Sequence, residues 1–367
     1  MGGVTLPFDR TPDPAPLPDV SFASDNYAGA HPEVLEAMAA ANAGHAVSYG
    51  ADPWTAQLQD VVRGHFGDQA VAYPVFNGTG ANVVSLASML PRWGAVVTPT
   101  TAHIVTDENA APERVAGIKL LTVPTPDGRL TPELLDREAW GWGDPHRAQP
   151  LVVSVSQATE LGTVYGVEEL RALADHAHGL GMRVHLDGAR LANAAAHLGV
   201  GLGDLTTAVG VDVVSLGGTK NGIVLGEAVV VLDPSAVDGV EYVRKMTMQL
   251  GSKLRFVSAQ LVALYGSGLW LRSAEHANAM ATRLRAALEA GGVAPDRLVI
   301  TRDTDANAVF AALPHAAAQR LRDRWRFYDW DDHRDDGLVE VRWMCAWDTT
   351  PEAVDAFAAD VLAAVGR

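Results

Sequence analysis

Residues 184–190 read VHLDGAR, and residues 211–222 read VDVVSLGGTKNG. In each stretch a short run of mostly apolar residues ends in polar groups, Asp187 in the first and Lys220 in the second. Runs of this length and composition read as strands buried on both faces. Between them GARLANAAAHLG (188–199) reads as a helix. The interval is 220 − 187 = 33 residues, about one strand–helix–strand unit. The two polar groups should therefore share one edge of a mostly parallel sheet, the edge beyond the carboxyl ends of the strands where ligands bind.

The same alternation runs outward in both directions. AVAYPVF (70–76) leads into GTGANVVSLASML (78–90), GAVVTP (94–99) into TAHIVTDENAA (101–111), and LVVSVSQ (151–157) into VEELRALADHAHGLG (167–181), while EAVVVLD (227–233) follows the lysine turn. Upstream, helices are expected from His31 to Ala43 and from Asp52 to Phe66, and the proline-rich first 20 or so residues read as an irregular arm. Near Val240 the pattern changes to a long helical stretch from Asp238 to Glu289, interrupted around Gly266–Gly268. The tail then reads strand (298–301), strand (306–313), helix (316–325), strand (338–347) and helix (351–365), a two-layer α+β unit. The expected organisation is an arm over 1–30, a large α/β domain over 31–252 and a smaller α+β domain over 253–367.

Composition narrows the function. The chain has 44 acidic and 28 basic residues, a net charge of −16, which disfavours nucleic acid and anionic membranes as partners. No apolar stretch approaches the roughly 20 residues of a membrane span. A single cysteine, Cys345, leaves no disulfide framework and fits a reducing, cytoplasmic setting. No histidine spacing suggests a metal site; His176 and His178 read as helix surface.

Asp187 taken alone could be an ordinary helix N-cap, and Lys220 a surface loop lysine. Together they suggest pyridoxal phosphate (PLP): a strand-end carboxylate pairs with the protonated pyridine nitrogen, and a desolvated lysine holds the cofactor aldehyde as an imine. Gly78, Thr79 and Gly80, between a strand and the first turn of a helix, supply a candidate phosphate cradle, although such a turn could be only a tight turn. His103, just after a strand, could stack on the pyridine ring or be a packed structural residue.

Beyond these positions the chain resembles the L-threonine aldolases, the low-specificity branch of PLP enzymes with the aspartate-aminotransferase-like fold (fold type I). The motifs run from SFASDNYAGAHPEVLEAM (21–38) through SYGADPW (48–54), FNGTGAN (76–82), TAHIVTDENAAPE (101–113), QATELGTVY (157–165), HLDGARLANAAAHLG (185–199), SLGGTKNG (215–222) and RKMTMQLGSKLRF (244–256) to EVRWMCAWDTT (340–350). The resemblance implies a large domain with a seven-stranded type of sheet and a smaller C-terminal domain. It implies Lys220 as the cofactor lysine, Asp187 at the pyridine nitrogen, His103 over the ring, and Gly78, Thr79 and Gly80 at the phosphate. It further implies Arg190 near the cofactor and the substrate carboxylate, Arg342 as the main carboxylate clamp, and Ser24 near the active site. Tyr49, Lys245 and Arg255 would approach from a neighbouring subunit of a homodimer or homotetramer.

One departure stands out. Many relatives carry a histidine in the segment that here reads QATELGT, where Glu160 stands. The acceptor of the substrate hydroxyl proton is thus open between His103, Glu160, a water and the cofactor phosphate. The implied reaction is retro-aldol cleavage of an L-β-hydroxy-α-amino acid to glycine and an aldehyde. An aminotransferase or β-eliminating lyase, or a binding relative without cofactor, are the alternatives.

Overall fold

A computed structural model describes residues 20–366. Most of the expected N-terminal arm, residues 1–19, lies outside the described residues. From residue 20 onward the chain is anchored: Phe22 exchanges backbone hydrogen bonds with Arg326 and Met344, and its ring stacks on Phe357 at 4.3 Å. Burying that ring contributes about 1.5–3 kcal/mol.

Helices α1 (Pro32–Ala41) and α2 (Pro53–Phe66) follow, each with proline in its first turn, and α2 is capped by Asp52 through Thr55 N–H at 2.8 Å. Then come β1 (Val71–Val75), α3 (Gly78–Met89), β2 (Gly94–Pro99), α4 (His103–Thr106), α5 (Ala111–Val115), β3 (Lys119–Val123), α6 (Pro132–Leu135), β4 (Gln149–Ser156), α7 (Val167–Gly179), β5 (Arg183–Gly188), α8 (Leu191–Leu198), β6 (Val213–Leu216) and β7 (Glu227–Val231). These strands form one seven-stranded sheet in the order β1-β7-β6-β5-β4-β2-β3. β2, β6 and β7 are buried along their whole length, as a sheet covered by helices on both faces requires. All pairings are parallel except those of β7, which runs antiparallel to both β1 and β6.

The expected helix from Asp238 to Glu289 is three helices: α9 (Val240–Met246), α10 (Arg255–Tyr265) and α11 (Leu269–Ala290). The break near Gly266 is present, but a second one spans 247–254. There Met248 adopts φ +64° and the backbone at Gly251 comes so close to Phe76 that a side chain would collide with its ring. Apolar periodicity does not register such a tertiary contact. The C-terminal part comprises β8 (Val299–Ile300), β9 (Ala308–Pro314), α12 (His315–Arg322), β10 (Tyr328–Asp331), β11 (Leu338–Met344) and α13 (Pro351–Gly366). Its sheet is antiparallel in the order β10-β11-β9-β8. β3 and β10 escaped the sequence reading because both are edge strands with mixed or exposed faces.

The apolar residues gather chiefly in two clusters, one around the seven-stranded sheet and one around the small sheet with Phe22, Trp325, Phe327, Trp343 and Phe357. α10 and the start of α11 belong to the first, while α11 from Met280 onward belongs to the second. Among the described residues, no helix is long and apolar enough to cross a membrane.

Candidate active site

The parallel strands deliver Asp187 and Lys220 to one edge. Asp187 lies at the end of β5, paired in register with Ser215 of β6. Lys220 lies four residues past β6, in a single helical turn over Thr219–Asn221. Burial works to raise the Asp187 carboxyl, but the Lys220 charge, the Asn82 side chain and His103 outweigh it and hold the group below the ordinary carboxylate value. Burial and the Arg190 charge depress the Lys220 amine. Asp187 is thus kept as an anion and Lys220 is eased towards the neutral amine a nucleophile needs.

The lysine turn is braced from beneath. Glu227 begins β7, and because β7 runs backwards its first residue sits at the edge where the parallel strands end, opposite Val75. Its carboxylate accepts the Gly218 and Thr219 N–H groups, and burial pushes it up to about 7. Tyr265 O–H donates to Gly217 C=O, and the Asn221 amide donates to Trp270 C=O at 3.0 Å. Gly222 closes the turn at φ +97°, where a side chain would meet the His31 ring.

His103 opens α4 beyond the end of β2. Its Nδ1 is 2.8 Å from Glu108 Oε1, and its backbone N–H donates to Glu160 Oε1 at 2.9 Å. The hydrogen bond to Glu108 raises the imidazole above its ordinary value against an opposing burial effect. Burial raises the Glu160 carboxyl, although its Oε1 also accepts Ser156 O–H at 2.6 Å. Asn82, on α3, donates from the same nitrogen to Glu108 Oε1 (2.8 Å) and to Asp187 Oδ2 (2.9 Å). Beneath this edge the His185 ring is buried between Ser154 and Ser215, and burial lowers it to about 4.

Gly78, Thr79 and Gly80 form the first turn of α3, as expected from sequence. The Gly80 N–H is taken by the Asn77 cap at 2.7 Å, and the Gln249 side chain packs where a Gly80 side chain would project. The N–H groups of Gly78 and Thr79 meet no acceptor among the described residues. At the N-terminus of a 12-residue helix they suit a phosphate.

The arginines occupy two different states. Arg190 is committed: its fork holds Asp25 at 2.7 and 2.9 Å, and Asp25 also accepts Asn307 Nδ2 at 3.1 Å. Arg342, on β11, has a buried Nε with no partner among the described residues. Burial and the nearby Arg190 charge lower its guanidinium to about 10. It lies over the Trp330 ring at 5.0 Å and feels the charges of Asp25 and Asp107. Ser24 Oγ caps the short turn that carries Asp25, accepting Asn26 N–H at 3.2 Å.

Tyr49 and Lys245 come together, and Arg255 has its own contact. Tyr49, at φ +60°, is 53% exposed, and the Lys245 ammonium lies 5.0 Å from its ring centre. Arg255 donates to Gly44 C=O at 3.3 Å. The residues that sequence reasoning missed are Asp25, Asn82, Glu108, Glu227 and Asn307. Asn82 and Glu227 did leave a signal, each being a polar residue inside or at the start of an apolar run.

The donor set fits PLP: an anionic carboxylate, an easily deprotonated lysine beside it and two amides at a helix start that meet no acceptor among the described residues. Comparison with known proteins agrees. A family model described as beta-eliminating lyase matches residues 21–315. A low specificity L-threonine aldolase of a Pseudomonas species is 41% identical over 93% of this chain and 97% of its own length. Another from Pseudomonas aeruginosa is 42% identical over 94% and 98%. The solved structure of a Leishmania major threonine aldolase superposes with a TM-score of 0.88 at 28% identity, covering 94% of this chain and 99% of the other. The cofactor is pyridoxal phosphate, and the chain belongs to the beta-eliminating lyase family, within its L-threonine aldolase branch.

Proposed function

We propose that this enzyme cleaves L-β-hydroxy-α-amino acids such as L-threonine, L-allo-threonine and phenylserine to glycine and an aldehyde. The observation that carries the reading is Arg342, a desolvated guanidinium with no partner for its buried Nε among the described residues, near the Asp25–Arg190 pair and suited to one incoming carboxylate. Bound at this edge, PLP supplies an electron sink for the pair released when Cα–Cβ breaks. Asp187 would hold the pyridine nitrogen protonated, Lys220 would carry the cofactor, and the Gly78 and Thr79 amides with the Thr79 hydroxyl would hold the phosphate.

Arg342 takes the substrate carboxylate directly. Arg190, already paired with Asp25, adds positive charge behind it, and Ser24 supports the turn that presents Asp25. His103 accepts the β-hydroxyl proton: Nδ1 is engaged by Glu108, which leaves Nε2 for substrate on a side chain about one-third exposed. Glu160 supports it from the backbone side.

A homo-oligomer belongs to this reading, with Tyr49, Lys245 and Arg255 near a subunit boundary. It is supported by an exposed apolar group on and after α9, Tyr242, Met246 and Met248, which are 81%, 72% and 75% accessible. A cytoplasmic location is supported by the single buried cysteine. The proposed division keeps the expected large and small units but moves their boundary past α10, which packs on the large unit. The test incubates the PLP-loaded enzyme with β-hydroxy amino acids of both β configurations and measures glycine and aldehyde. Equal amounts of the two products are expected; a keto acid formed only with an added amino acceptor would replace this reading by transamination.

A further inference from the structure

We propose that Asn82 and Glu108 are positioning residues for His103: one amide nitrogen and one carboxylate oxygen tie the imidazole to the Asp187 carboxylate, hold Nδ1 as a donor and reserve Nε2 for the substrate hydroxyl. The proposal deepens the reading of His103 as base and rests on it only for that last step.

The link is a chain of three contacts. His103 Nδ1 donates to Glu108 Oε1 at 2.8 Å, Asn82 Nδ2 donates to the same oxygen at 2.8 Å, and Asn82 Nδ2 gives its second hydrogen to Asp187 Oδ2 at 2.9 Å. A nitrogen that donates to two carboxylate oxygens needs both to be acceptors, so neither oxygen turns a proton towards Asn82. The Glu108 side chain is fully buried. Its Oε2 and the Asn82 Oδ1 are buried without partners among the described residues. Two apolar side chains would fill that space without stranding either acceptor, so stability alone does not account for the pair.

The chemistry follows from the contact at Nδ1. An imidazole that donates from Nδ1 keeps its lone pair on Nε2, and a carboxylate behind the ring stabilises the cation formed when Nε2 takes a proton. The other groups facing His103 are Lys220, which opposes its protonation, Asp187, which favours it, and Glu160, which meets its backbone N–H. In the proposed step the hydroxyl proton passes to Nε2 and the O–H pair becomes the second bond of the aldehyde carbonyl. The Cα–Cβ pair stays on the Cα side, and a proton is added there before glycine leaves.

The test uses the full-length PLP-loaded enzyme with isotope-labelled histidine, identifying the His103 signal by its loss in His103→Asn. In Glu108→Gln the side chain keeps its size and an acceptor oxygen but loses its charge. Both the His103 titration and the acid limb of kcat/KM are expected to move to lower pH, with the plateau falling about tenfold to a hundredfold. In Asn82→Ala, Glu108 loses its competing donor, and the His103 titration is expected to move to higher pH. An unmoved titration in both variants overturns the positioning role. A moved titration with an unmoved acid limb supports positioning and overturns His103 as the base, so the two readings fail separately. Should Glu108→Gln not fold, Asn82→Ala reads the same titration with the opposite sign.

Discussion

The Lys220 half of the site and the Arg342 half are held by different kinds of structure. Lys220 and Asp187 stand on successive strand ends, so their meeting follows from one local unit and the rule that parallel sheets bind at their carboxyl edge. Arg342 stands on the small antiparallel sheet, and its neighbourhood is made by contacts across the chain. Asp25 reaches Arg190 over 165 residues and Asn307 over 282. The first half carries the cofactor chemistry; the second is a charge balance assembled only when the whole chain has folded.

Substitutions separate the halves. Lys220→Ala should have the largest effect, a loss of cleavage of about ten-thousandfold or more together with the visible absorption of the bound cofactor. A yellow, active variant would break the assignment of the first half. Asp25→Asn comes next, because it leaves the Arg190 guanidinium without its charged partner. A buried pair broken on one side costs about 3–5 kcal/mol, so the urea midpoint should drop clearly. An unchanged midpoint would mean that the second half does not depend on this ion pair. Arg342→Ala should be the mildest, raising KM for the amino acid about a hundredfold while the cofactor absorption stays unchanged. A fall in kcat alone would move Arg342 out of the carboxylate role.

How much could be read in advance follows the same line. The alternation of strand and helix put Asp187, Lys220, His103 and the Gly78–Gly80 turn each just past an apolar strand; β5 and β6 are neighbours both in sequence and in the sheet, whereas β1, which leads to the glycine turn, pairs with the distant β7. Asp25 gave no such cue: it sits in SDNY outside any periodic element, and only the docking of Phe22 into the small unit brings it inward. Glu108 lay inside TDENAA, a stretch read as one helical segment, whereas the chain forms two short helices with Glu108 between them. Arg190 was visible as an arginine near the cofactor edge, but its commitment to Asp25 is a property of the fold.

The reversed strand β7 has a further consequence. Glu227 reaches the lysine turn only because Val75 stands opposite it and Leu216 opposite Ala228. Side chains alternate between the two faces of a sheet, so a slip of one residue would turn Glu227 away and bring Ala228 or Gly226 to its place. A chain zipped one step out of register would present its lysine on an unsupported loop. The chemistry at Lys220 therefore doubles as a check on assembly: only a sheet closed in its proper alignment yields a braced nucleophile.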